Sequence, residues 1–127
     1  MNLTERELDQ AFLKLSMLNH VGMAMLQFAR SIATTNTQKD PGGIFRLGNV
    51  AFSFPPGDAG FRLHVSLDLK KVDPGDLRRL PLQFEGDFFV CDIRNVGNLD
   101  AAANYIRHAE TQYLAVHPAP ASSPFLR

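Results

Sequence analysis

Three side chains with the chemistry of a hydrolytic triad occur together near the middle of the chain. His64, Ser66 and Asp68 are spaced at i, i+2 and i+4, and Arg62 precedes them in the same alternation. On a strand such residues stand side by side about 7 Å apart, whereas a triad needs three groups that converge on one point. No G-x-S-x-G motif accompanies them. We therefore expect no catalytic residue here, and interpret Arg62, His64, Ser66 and Asp68 as a polar strand face that binds a ligand, such as an anion or a partner carboxylate.

The rest of the chain offers little for a cofactor, a metal or a nucleic acid. The histidines are scattered without the close spacing of metal sites, and no glycine cluster matches a phosphate-binding loop. Basic and acidic residues balance at 13 each, so no net charge attracts nucleic acid or a membrane surface. We expect none of these partners. The single cysteine, Cys91, lies in the apolar run FFVCDI, which predicts a buried thiol and a reducing, cytoplasmic location.

The polar face belongs to the clearest periodic segment of the sequence, from Phe61 to Lys70. Apolar residues alternate strictly with polar ones along it, which is typical of a strand with one buried face. The apolar members are Phe61, Leu63, Val65, Leu67 and Leu69. This segment is predicted to be the central strand of a sheet.

One hairpin is predicted on each side of that strand in the sequence. Gly48-Asn49 separates two short apolar runs, and such a turn places Leu47 opposite Val50. Glu85-Gly86-Asp87 precedes the run FFVCDI, whose apolar character on both faces indicates an inner strand. The polar stretch 34–43 is predicted to be a loop. Short connections then favour a five-stranded, mainly antiparallel meander.

A helix is predicted at each end of this sheet. Thr4 and Glu7 have capping-box spacing, and apolar residues then recur at helical spacing to about Ala33, which predicts one long N-terminal helix. A second amphipathic segment predicts a C-terminal helix. With both helices on one face of the sheet, the fold class is α+β, in a single domain over 1–117 with a disordered tail over 118–127.

The second half of the N-terminal helix is apolar around nearly its whole circumference, more than one sheet face can cover. A helix of this kind is normally buried on several sides, which predicts a homodimer seam. The predicted interface residues are Met17, Val21, Met25 and Phe28. A membrane span is disfavoured, because polar residues interrupt the run of about 20 apolar residues that spanning requires. The function expected is a non-enzymatic protein-interaction module that presents apolar helix and sheet surface to a partner.

The order of the elements, with a helix at each end of a five-stranded sheet, resembles that of bacterial type III secretion chaperones. Those proteins are small cytosolic dimers, and the short LRRL segment at 77–80 stands here where they have a long middle helix. The resemblance implies a bacterial, chaperone-like homodimer. The alternative is a small-molecule or anion-binding domain with Arg62 and His64 at the mouth of a pocket, or a small hydrolase on the same strand face.

Overall fold

The structure is a computed structural model that describes residues 3–15, 18–33, 37–56, 60–86, 88–94 and 96–116. Within these residues it contains four α-helices and one six-stranded sheet, so the predicted α+β class is confirmed. The helices are α1 (Leu3–Leu13), α2 (Asn19–Ile32), α3 (Pro74–Arg79) and α4 (Leu99–Val116). The strands are β1 (Gln38–Lys39), β2 (Phe45–Leu47), β3 (Val50–Ser53), β4 (Phe61–Val65), β5 (Gln83–Glu85) and β6 (Phe88–Ile93). The predicted tail over 118–127 lies outside the described residues.

The sheet is antiparallel throughout, with strand order β1-β2-β3-β4-β6-β5. It differs from the predicted five-stranded meander in two ways. A sixth strand, β1, forms in the stretch 34–43 that was expected to be a loop, and β6 rather than β5 lies beside β4. The segment between β4 and β5 leaves the sheet through a short 3-10 helix and α3, so β5 returns at the outer edge. This order gives the inner position to β6, whose apolar residues on both faces suit it.

Both hairpins form as the sequence predicts. Leu47 pairs with Val50 across the first turn, and Gly48 has a φ of 62°, the left-handed conformation that favours glycine. In the second hairpin Glu85 pairs with Phe88, and Gly86 has a φ of 63°. The local turn signals therefore set the register of each strand pair.

The predicted long N-terminal helix is instead two helices, α1 and α2. They pack side by side and antiparallel, since Arg30 near the end of α2 donates hydrogen bonds to Asp9 at 2.8 Å and to the Glu5 carbonyl at 3.3 Å, whereas Gly22 near the start of α2 lies beside Phe12 near the end of α1. Gly22 allows this contact, because a Cβ at that position would lie 2.5 Å from a ring carbon of Phe12. The apolar residues around the predicted circumference thus serve two helices that meet the core from different directions, which explains why one straight helix could not bury them.

The core lies between the helices and one face of the sheet. The Phe12 ring of α1 packs edge to face on Phe52 and Phe61, with centroids 5.3 and 4.9 Å away. On the other side of the core, the Tyr105 hydroxyl of α4 donates a hydrogen bond of 2.6 Å to the Leu80 carbonyl. Residues of α1, α2, α4 and the strands form one apolar cluster, and Cys91 is buried within it as predicted. The helices therefore cover one face of the sheet.

Candidate functional site

The opposite face of the sheet carries most of the predicted ligand-binding residues. Side chains that point away from the helices include Arg46, Ala51, Ser53, Arg62, His64, Phe88, Val90 and Asp92. His64 of β4 has Ala51 on one side and Val90 on the other, and Arg62 lies opposite Asp92. Ala51 and Val90 are buried but do not belong to the core cluster. We call this surface the open face. Its buried residues form a second layer of packing that is thinner than the core.

His64 was predicted on the polar face of the strand, and it is buried on the open face with only 7% of it exposed. The ring of Phe88 lies edge-on at 6.0 Å, and the Arg46 guanidinium lies 4.8 Å above that ring. The pKa of His64 is lowered, first by burial and then by the positive charge of Arg62. The imidazole is therefore held in its neutral form at physiological pH.

The hydroxyl of Ser53 on β3 reaches His64, at 2.8 Å from Oγ to Nε2. This pair has the first contact of a nucleophile and its base. Among the described residues, however, no carboxylate hydrogen-bonds to His64, and the nearby Asp92 is already bound to Arg62. What the structure shows is a side-chain hydrogen bond that links β3 to β4. Sequence reasoning missed Ser53 because it lies on another strand, and only the register of β3 with β4 identifies it.

Arg62 is engaged by carboxylates of its own chain. Its Nε donates to Asp92 Oδ1 at 2.9 Å, and its Nη1 lies 3.8 Å from Glu85 Oε2. The hydrogen bond with Asp92 raises the pKa of Arg62. An external anion would have to compete with both carboxylates, so the open face does not favour the anion site expected at Arg62 and His64.

Ser66 and Asp68 do not share the open face, because β4 ends at Val65 and not at Lys70 as predicted. The Ser66 backbone N–H donates to the Asn49 carbonyl at 2.8 Å. Asp68 instead caps the following 3-10 helix, where its carboxylate accepts from the Lys70 backbone N–H at 3.0 Å. This local cap competes with strand geometry and ends the alternation early.

A groove of about 210 Å³ opens between α2 and α4. It is lined by Val21, Ala24, Met25 and Phe28 of α2 and by Leu99, Asp100 and Ala103 of α4. The structure thus brings together Val21, Met25 and Phe28, which were predicted as interface residues, whereas Met17 lies outside the described residues. Met25 forms the floor with 5% exposure, Val21 and Phe28 are half-buried, and Ala24 is exposed. We call this feature the α2–α4 groove.

Two opposite charges flank the α2–α4 groove along α4. Asp100 lines it near the start of the helix, and Arg107 lies two helical turns further on. The Arg107 guanidinium is 5.8 Å from the Phe28 ring centroid and donates to Asn104 Oδ1 at 2.8 Å. The groove is therefore apolar at its centre and charged, with opposite signs, towards its ends.

Three further features of the described residues bear on their chemistry: the cysteine thiol, possible metal ligands and helix hydropathy. Burial raises the pKa of Cys91 to about 12, so the thiol stays protonated. Over the described ranges, no three His, Cys, Asp or Glu side chains are grouped closely enough to hold a metal ion. In the same part of the chain, no helix has the length and apolar character needed to cross a membrane.

No protein-family model, curated protein or solved structure matches this chain. The two surfaces described above, the open face and the α2–α4 groove, are therefore the basis on which a function can be proposed.

Proposed function

We propose that the protein is a non-enzymatic protein-interaction module that works as a homodimer, with the α2–α4 groove as the contact between two copies. The observation that supports this is the groove itself, whose described lining consists of six apolar residues and the charged Asp100 around a solvent-open surface. Fully buried residues of the same helix, Leu26 and Ala29, already supply the core. Val21, Phe28 and Leu99 pack against that core and leave part of their apolar side chains open to solvent in the groove.

A second copy is the occupant that suits the charges of α4. In a twofold contact, if one residue of the first copy touches a different residue of the second, the same pair also forms with the copies exchanged, so a surface must be complementary to itself. Asp100 and Arg107 are equally distant from a point beside Ala103. If two α4 helices cross antiparallel there, Asp100 of each copy faces Arg107 of the other. Both ion pairs form at once, and no charge is left against a like charge.

The centre of the α2–α4 groove also permits close approach. Ala24 and Ala103 have small side chains, and the distance between packed helices depends on the side chains at the contact. The half-buried Phe28 ring and Val21 side chain would fill the space beside these two alanines. The contact would thus combine a small-residue centre with an apolar surround and a charged rim, as in stable protein interfaces.

A dimer joined through α2 and α4 leaves the open face of each sheet available to a further partner. On that face Arg46, Arg62 and Asp92 supply charges of both signs, and Phe88 supplies an aromatic ring. We propose it as the surface presented to another protein. The chaperone-like role in a bacterial cytoplasm, expected from the order of the elements, is one specific form of this proposal.

The test is the oligomeric state of an Ala24→Glu variant. Ala24 is exposed in the single chain, so a glutamate there is tolerated by the fold, but in the dimer it would bury a charge without a partner. Light scattering coupled to size exclusion should give twice the chain mass for the wild type and the single-chain mass for Ala24→Glu. Gln27→Glu is the matched control, because Gln27 is exposed on the same helix but does not line the groove, and it should remain dimeric. A wild-type protein that stays monomeric at high concentration would refute the proposal.

A further inference from the structure

A larger cleft, of about 460 Å³, lies between α1 and the part of the sheet next to β2 and β3. Its volume falls within the range of roughly 300 to 1,000 Å³ that is typical of small-molecule sites. The cleft shares no lining residue with the α2–α4 groove and none with the open face. It is therefore independent of the proposed function. We call it the α1 cleft.

The wall of the α1 cleft is apolar and held in place by the core. Phe45 and Phe54 form its sheet side, with ring centroids 6.3 Å apart, and Ala11 and Leu15 form its helix side. Phe54 also packs edge to face against Phe12 at 5.0 Å. Because these rings are fixed by their neighbours, the apolar part of the cleft exists before any ligand enters it.

The rim of the α1 cleft is basic. Arg6 and Lys14 line it, are exposed, and form no ion pair with any other residue that the structure describes. The acidic residue of the lining, Glu7, is neutralised by Lys39, whose Nζ lies 2.7 Å from Glu7 Oε2. The same ammonium is 5.4 Å from the Phe45 ring centroid. As far as the described residues go, these two cations thus lie beside an apolar wall without an ion-pair partner.

We propose that the α1 cleft binds a small amphipathic anion, which is a molecule with an apolar body and a single carboxylate or phosphate group. The apolar body would lie between Ala11 and the rings of Phe45 and Phe54. The anionic group would lie at the rim and accept hydrogen bonds from Arg6 or Lys14. A ligand with the same body and a positive charge would meet like charges and bind poorly.

The experiment is isothermal titration calorimetry of the full chain with decanoate and with decyl phosphate, each below its critical micelle concentration. Decyltrimethylammonium is the comparison ligand, with the same tail and the opposite charge. At least one of the two anions should bind saturably, and the cation should not. The relative affinity of the two anions identifies the headgroup. If neither anion binds saturably, or if the cation binds as well as they do, the proposal is wrong.

Three variants locate the binding. Ala11→Phe fills the cleft and should abolish anion binding. The double variant Arg6→Gln/Lys14→Gln keeps the wall but removes the charge, so it should weaken binding of the anions by roughly tenfold or more. Arg78→Gln on α3 is the control, since it removes an exposed arginine that does not line the cleft, and it should bind like the wild type. If Ala11→Phe does not fold, the double variant still decides, and unchanged anion affinity in it would overturn the proposal.

Discussion

Glu110 is an acidic residue whose carboxyl group the fold buries. It lies on α4 with 1% of its surface exposed, beneath the turn of the first hairpin, where a Cβ at Gly48 would be 3.0 Å from its Oε1. Neither carboxyl oxygen has a hydrogen-bond partner of normal geometry among the described residues. Burial raises the pKa of Glu110 to about 7, and the backbone N–H of Asn49 opposes that rise only in part.

The raised pKa makes the stability of the fold depend on pH in a defined direction. The unfolded chain releases this proton near the ordinary value of 4.5, whereas the folded chain keeps it until about 7. Stability should therefore fall as pH rises through that window, by about 3 kcal/mol in total. Above the window the fold holds a buried carboxylate and the loss is complete.

Replacing Glu110 with Gln should remove this pH dependence. The unfolding free energy of the variant minus that of the wild type should rise by up to about 3 kcal/mol between about pH 5 and about pH 8. This rise does not depend on the absolute stability of the variant. Urea unfolding of both proteins at the two pH values measures the change, and taking the difference cancels other titrating groups such as His64. Parallel pH profiles for the two proteins would contradict the interpretation of Glu110.

At the level of the elements, the contact between α1 and α2 depends on a glycine. Gly22→Ala would place a methyl group 2.5 Å from a ring carbon of Phe12, and that ring is itself held by the core. Although alanine favours a helix by about 1 kcal/mol over glycine, overpacking should win, and the variant should lose about 1 to 3 kcal/mol of stability.

Thermal and urea unfolding measure this loss. Gly42→Ala is the matched control, because a Cβ there meets nothing within 4 Å and its φ is not positive, so its stability should stay close to that of the wild type. A Gly22→Ala protein more stable than the wild type would show that the helices do not meet through this contact.

The elements that local signals determine were predictable from the sequence. Gly48 and Gly86 mark turns, and each sets the register of the two strands beside it. The break between α1 and α2 was not predictable in the same way, because no proline or local stop signal requires it and only packing against the rest of the core decides it. The position of β6 beside β4 likewise depends on where the long connection through α3 returns.

The candidate sites also differ in whether local sequence signals can predict them. Val21 and Phe28 could be predicted to share a surface because their apolar character exceeds what one side of a helix needs, and both line the α2–α4 groove. Ser53 and the α1 cleft could not, because each forms from residues that are distant in sequence. Ala11 and Phe54 carry no distinguishing signal in the sequence, and only the fold places them on two sides of one cleft.

On the scale of the whole molecule, the helices cover one face of the sheet and leave the other as the open face. The α2–α4 groove is on the helical side, so a dimer formed there uses none of the open-face residues. Self-association and the binding of a further protein would then be separate properties of one chain. The claim on which this depends is that two copies meet about a twofold axis beside Ala103.

Charge reversal tests that claim most directly, with sedimentation equilibrium as the measurement. Asp100→Arg and Arg107→Asp should each weaken the dimer by roughly tenfold or more, because like charges then face each other across the axis. The double variant restores both ion pairs in reverse and should return to nearly the wild-type dissociation constant. Dimers that are unaffected by either single change, or that the double change does not restore, would contradict the twofold contact.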